Sequence, residues 1–189
     1  GRAAGFPIDE HQLGIFPQVA DRGFPGESLP EGEGKAAVDF EIARHHRPEL
    51  ADAHHRAVHH ALSETGKSLL VFLPGEAEIR RTERALDASV LPEGTTVHPL
   101  FGAMGFAAQD AAIRPAPEGQ RKVVLATTIA ETSLTIDGIG AVIDTGYKRV
   151  PRFDPASGMT ALETIRVSLA SADQRRGRAG RLGPGVCYR

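Results

Sequence analysis

A chain of 189 residues with 41% hydrophobic content can bury one core, or one core with an irregular attachment. It has no long apolar run, and its opening residues GRAAGFPIDEHQ are not apolar, so neither a transmembrane helix nor a signal peptide is expected. The single cysteine, Cys187, excludes an internal disulfide and fits a reducing cytoplasm. The net charge of −2 argues against a wholly basic nucleic-acid binder, but the charge is uneven. Residues 1–120 sum to −7 and residues 121–189 to +5. A local basic field of this kind attracts phosphates even in a slightly acidic chain.

Phe6, Ile8, Leu13 and Ile15 have the look of an edge strand. Residues 17–36 are dense in Gly and Pro and read as a loop or linker, so residues 1–35 form an attachment to a domain spanning 36–189. A helical pattern follows over Ala36–Leu62, interrupted near Pro48. Ser68–Leu73 is a short apolar run stopped by Pro74-Gly75, the pattern of a buried strand. Glu76–Leu86 reads as a helix with Ile79, Glu83 and Leu86 at helical spacing. Thr95–Leu100 is a strand, Gly105–Ile113 a helix, Lys122–Ala126 and Ile139–Asp144 two more buried strands. Residues 146–167 suit a hairpin turning at Asp154-Pro155 to Gly158. Ser171–Arg178 is a helix and Gly185–Tyr188 a last strand. Buried strands alternating with helices predict an α/β fold with a parallel sheet, whose ligands sit beyond the strands' carboxyl ends. Thr127–Asp137 lies in such a position.

Two features point away from chemistry. Thr65-Gly66-Lys67-Ser68 resembles the end of a phosphate-binding loop, but Ala61 stands where the pattern needs glycine. A helix precedes it and a strand follows, the reverse of the required order, so Gly66 reads as a helix C-cap. His45, His46, His54, His55, His59 and His60 crowd one segment, and His55 and His59 share a helix face. Without an HExxH string or a nearby cysteine, they read as a solvated face and no metal site is expected.

The chemistry collects in two strings. In QRRGRAGR, residues 174–181, Arg178 and Arg181 are three apart, which on a helix puts both on one side toward one anion. Guanidinium groups stay charged and fork onto phosphate oxygens. Gln174 can position an attacking water. In VLATTIAETSLTID, residues 124–137, the hydroxyls of Thr127, Thr128, Thr132, Ser133 and Thr135 suit phosphate and ribose oxygens, and Asp137 suits a ribose hydroxyl. Thr128 with Glu131 three residues on also fits a helix-capping box.

Three strings, SLLVFLPGEAEI (68–79), RKVVLATTIAETSLTIDGI (121–139) and ASADQRRGRAGRLGPG (170–185), resemble motifs IV, V and VI of DEAH-box superfamily 2 RNA helicases. RFDPASGMTALET (152–164) resembles their hairpin region, and the combination is most similar to bacterial HrpB-type ATP-dependent helicases. The resemblance implies the second RecA-like domain, the helicase C-terminal domain. It would be a three-layer α/β fold with a mostly parallel sheet and a β-hairpin after motif V. By position it implies Arg178 and Arg181 as arginine fingers, with Gln174 near the hydrolytic water. Ser133 would sense the γ-phosphate, Thr135 and Asp137 would lie at the ribose, and Thr127 with Pro74-Gly75 would lie on the RNA side. ATP, Mg²⁺, single-stranded RNA and a first RecA-like domain are the implied cofactors and partners. The phosphate-binding loop, the DEAH box and most Mg²⁺ ligands would come from that first domain, so the chain alone is expected to be inactive. Thr128, Arg176 and Ile113 depart from the family pattern, which has asparagine, a small residue and, in many eukaryotic members, an aromatic. The residues leave open a DNA translocase lobe, or a RecA-like module that only docks partners.

Overall fold

The computed structural model describes residues 19–22 and 48–189 apart from 133, 180 and 182. The expected strand near residues 6–15 and the helical pattern before Pro48 lie outside the described residues. Six strands form one sheet in the order β1-β8-β5-β2-β4-β3, with every pairing parallel. They are β1 (Val19–Arg22), β2 (Ser68–Phe72), β3 (Thr95–Leu100), β4 (Arg121–Ala126), β5 (Ile139–Asp144) and β8 (Gly185–Tyr188). Strand β1 falls inside the stretch whose glycines and prolines read as a loop. It pairs along the free side of β8, from Val19 opposite Gly185 to Arg22 opposite Tyr188.

The central strands are buried end to end because helices cover both faces. Alternating side chains then make two cores. On one face Leu69, Val71, Val123, Leu125 and Ile143 meet α1 (Pro48–Glu64) and α2 (Glu76–Asp87). On the other, Leu70, Phe72, Val124, Ala126 and Val142 meet Ala112 of α3 (Phe106–Ile113), Ala130 of α4 (Ile129–Thr132), Ile136 and Ala179. This is the three-layer arrangement expected of a RecA-like domain.

Proline at the first position of α1 costs nothing, since that amide has no helical partner. Helix α2 has Glu76 and Glu78 in its first turn and Arg84 in its last, each matching the helix dipole. Its core contacts are Ile79, Thr82 and Leu86, not Glu83. Glu83 instead pairs with Arg80 at 3.0 Å along the helix surface. Gly66 does separate helix from strand, which disposes of a phosphate loop there. It is not left-handed, however, so it is not the C-cap that was expected.

The hairpin joins β6 (Tyr147–Asp154) to β7 (Met159–Arg166) in unbroken antiparallel register. Asp154 closes its turn. Its carboxylate accepts from the Ala156 amide at 3.0 Å and the Ser157 hydroxyl at 2.7 Å, and Gly158 supplies the positive φ of 66° that the turn requires. Those bonds hold the Asp154 pKa below its ordinary value, the Ser157 hydroxyl most of all.

Candidate functional site

The carboxyl ends of β3, β4, β2 and β5 are laced together. The Leu73 amide donates to Ala126 O at 2.8 Å, the Thr127 amide to Leu100 O at 3.2 Å, and the Thr145 hydroxyl to Phe72 O at 2.8 Å. Pro74-Gly75 and Thr127 therefore share one edge of the sheet. Gly75 is the extended N-cap of α2, with no side-chain cap. Arg149 of β6 lies over it, so close that a Cβ there would stand 3.0 Å from Arg149 Cδ. Arg149 pairs with Glu78 at 3.1 Å. Sequence reasoning missed this cation, which reaches the edge only through the fold of the hairpin.

Helix α4 follows at once, and Glu131 is its hub. One carboxylate oxygen lies 2.7 Å from Arg175 Nε and 2.6 Å from Arg175 Nη2, and the other accepts from the Ser171 hydroxyl at 2.9 Å. The side chain is thus not closing a capping box with Thr128. Arg175, on α5 (Leu169–Arg176), is fully buried. It also meets Asp144 at 2.7 Å and places its guanidinium 4.8 Å from the centre of the Phe72 ring. Two carboxylates around one guanidinium satisfy a charge that burial would otherwise make costly. Arg175 is structural.

Helix α5 starts at a Ser168 cap and ends at Arg176, two residues earlier than the pattern suggests. Arg178 and Arg181 therefore lie beyond it, and helical spacing is not what brings them together. A turn does so, closed by the Arg178 amide on Arg175 O at 3.0 Å and the Ala179 amide on Arg176 O at 3.1 Å. Gly185 backs this turn, since a Cβ on it would be 2.3 Å from Ala179 O. Arg178 is largely buried and forks onto two carbonyls, Leu134 O at 2.8 Å and Glu131 O. Arg181 is exposed and donates to the Thr135 hydroxyl at 3.0 Å. Burial and then the neighbouring Arg181 charge lower the Arg178 pKa, with Glu131 opposing. The two guanidiniums, one buried and one exposed, thus concentrate positive charge at this turn.

Thr135 and Asp137 are exposed in the segment leading to β5, and Thr135 touches the pair through Arg181. Gln174 is exposed on α5, and among the described residues no hydrogen bond joins it to the pair. Ser133 lies outside the described residues.

The family described as "Helicase conserved C-terminal domain" matches residues 53–183. The chain belongs to this family. It is 45% identical over 190 residues to the ATP-dependent RNA helicase HrpB of Escherichia coli, covering 94% of this chain and 23% of that protein. It is 48% identical over 122 residues to the probable ATP-dependent RNA helicase DHX34 of Mus musculus, covering 64% of this chain and 11% of that one. A crystal structure of the E. coli DExH-box NTPase HrpB superposes with a TM-score of 0.72 at 44% identity, over 90% of this chain and 19% of that one. The chain thus spans about a quarter or less of the relatives it matches.

In this helicase C-terminal domain the described histidines of α1 hold elements together. His54 Nδ1 sits 3.4 Å from the Thr82 hydroxyl and His59 Nε2 3.0 Å from the Ser89 hydroxyl, which docks α1 on α2. The His55 and His59 rings stack edge to face at 4.5 Å, and His60 meets Tyr188 at 5.6 Å. Over His54, His55, His59 and His60 the expected solvated face is therefore a half-buried, packed one, while His45 and His46 lie outside the described residues. Among the described residues no three His, Cys, Asp or Glu side chains converge as metal ligands.

Proposed function

We propose that this helicase C-terminal domain is the second motor lobe of an ATP-dependent RNA helicase, completing an ATP site whose phosphate-binding half lies on a first lobe. The observation that carries this is the Arg178–Arg181 pair, two adjacent cations whose Arg181 bonds Thr135, itself two residues before Asp137. Arg178 exchanges carbonyl partners for phosphate oxygens when the lobes close, and Arg181 leaves the Thr135 hydroxyl. Both cations then face the charge that builds on the transferring phosphoryl group. Gln174 orients the attacking water, Ser133 senses the γ-phosphate, and Asp137 accepts from the ribose. Mg²⁺ would be held mainly by residues of the first lobe and would offset charge on the phosphates. Thr127 and Pro74-Gly75, on the strand-end edge, contact single-stranded RNA through its backbone. Such binding depends on salt and little on sequence.

The test uses the full-length protein. Arg178→Ala and Arg181→Ala each lower kcat by about 10³-fold or more, within the range that arginine fingers supply, with RNA affinity little changed. A near-normal kcat in both refutes the assignment. The purified chain alone turns over no ATP. Competition between single-stranded RNA and DNA for ATPase stimulation separates an RNA motor from a DNA translocase.

A further inference from the structure

Glu131 lies in the string that supplies Thr127, Ser133, Thr135 and Asp137, yet the ATP-site reading gives its carboxylate no part. That carboxylate is engaged within the domain on both oxygens. One lies 2.6 Å from Arg175 Nη2 and 2.7 Å from Arg175 Nε, and the other accepts from the Ser171 hydroxyl at 2.9 Å. Ser171 and Arg175 are four apart, so both stand on one side of α5, and both are buried. A single side chain on α4 therefore grips two successive turns of α5.

The main chain of the same residue holds something else. The last four carbonyls of a helix have no helical donor, and α4 has only four residues. Arg178 Nη2 donates to the Glu131 carbonyl, and Nη1 donates to Leu134 O at 2.8 Å. Both acceptors lie outside the turn that carries Arg178, a turn that starts from the Arg175 carbonyl. The guanidinium is thus aimed by α4 and the segment after it, while its backbone is set by the end of α5. Where it stands depends on how α4 sits against α5. Replacing Glu131 would keep the carbonyl but release that grip.

We infer that Glu131 is a positioning residue for the arginine finger: its carboxylate, closed on Ser171 and Arg175, fixes α4 against α5 so that its own carbonyl sets the place of the Arg178 guanidinium. This deepens the ATP-site reading and rests on it. With both carboxylate oxygens engaged inside the domain, Glu131 acts on turnover through Arg178 and not on nucleotide binding.

The experiment is a double-mutant cycle of Glu131→Ala with Arg178→Ala, read as ATPase kinetics of the full-length protein with single-stranded RNA present, well below the melting temperature of each variant. Glu131→Ala lowers kcat about 10- to 100-fold, the scale of a misplaced catalytic group, and leaves KM for ATP within about threefold. Glu131→Gln, which keeps an oxygen for Arg175, falls between. Beside Arg178→Ala, the further loss from Glu131→Ala is less than about twofold, because the group it positions is gone. A residue that merely supports the fold lowers kcat by the same factor in both backgrounds, and that result overturns the inference. So does a kcat for Glu131→Ala within about twofold of wild type. If Glu131→Ala does not fold, Glu131→Gln carries the cycle. A several-fold loss that vanishes beside Arg178→Ala supports the inference, and a loss that persists or never occurs overturns it. If Arg178→Ala leaves kcat intact, the ATP-site reading has failed. If Arg178→Ala lowers kcat and the Glu131 effect persists beside it, only the positioning role has failed.

Discussion

Removing Arg175 leaves two carboxylates, Glu131 and Asp144, facing each other with no cation between them. Both are nearly buried, with 10% and 2% of their side chains exposed. Breaking a buried ion pair by deleting one partner costs about 3–5 kcal/mol, and the lost cation–π contact with Phe72 adds about 1 kcal/mol. Domains of this kind are stable by about 5–15 kcal/mol, so Arg175→Ala removes a large share. With a urea m-value of about 2 kcal/mol/M, the denaturation midpoint of this chain falls by about 2 M. Circular dichroism against urea measures it. Arg175→Lys keeps the charge but not the fork, and falls between. Arg175→Met combined with Glu131→Gln and Asp144→Asn recovers much of the loss, because the unpaired charges are gone. A drop below about 1 kcal/mol in Arg175→Ala would refute the reasoning, since that is the scale of an exposed pair.

Acid weakens the α1–α2 contact. Burial lowers the His54 pKa to about 4, so the fold resists a proton that the unfolded chain accepts below about 6.5. Stability is full above that value and declines as pH falls toward 4, by about 3 kcal/mol in all. His59 and His98 are lowered as well, so the measurement is the difference in urea midpoint against pH between wild type and His54→Gln. A pH slope unchanged by the substitution contradicts the assignment. Gly185→Ala and Gly140→Ala form a contrasting pair. The first drives a Cβ to 2.3 Å from the backbone oxygen of Ala179, costs about 1–3 kcal/mol, and displaces the turn bearing Arg178. The second stands 2.4 Å from Lys67 Cβ, an atom fixed to its backbone, so it also costs about 1–3 kcal/mol but leaves the turn bearing Arg178 in place. Thermal melts of the two variants, with ATPase in the full-length protein, check this contrast: both lose stability, and only the first loses turnover beyond what its lost stability explains.

The buried strands β2, β4 and β5 were legible because helices on both faces demand continuous apolar runs, and those runs are short and bounded. Strand β1 was not. Val19–Arg22 carries no pattern of its own among prolines and glycines, and it exists as a strand because β8 offers an open edge. At the candidate site, the pairing of Arg178 with Arg181 was readable but its cause was not. Helix α5 ends at Arg176, and the turn that follows depends on Gly185, a contact between segments that no local spacing reports. Arg175 lies in the same string, yet what buries it is not local, since its partners Glu131 and Asp144 are 44 and 31 residues away. Lys122 stood inside RKVVLA as the start of a strand. That it is almost wholly buried, donating to Ala112 O, became visible only once α3 was laid over it.

Helix α4 is one turn long, and its two neighbours grip it differently. The Thr127 amide just before it is pinned to Leu100, while Glu131 within it clamps Arg175 through its side chain and Arg178 through its backbone. A tether of so few residues has no slack. If α4 is pulled at the Thr127 end, either the buried Glu131–Arg175 pair must rupture or α5 must travel with it. Arg178 cannot drift off independently while that carbonyl holds it. In this domain, the short tether links the strand-end edge at Thr127 to the turn bearing Arg178.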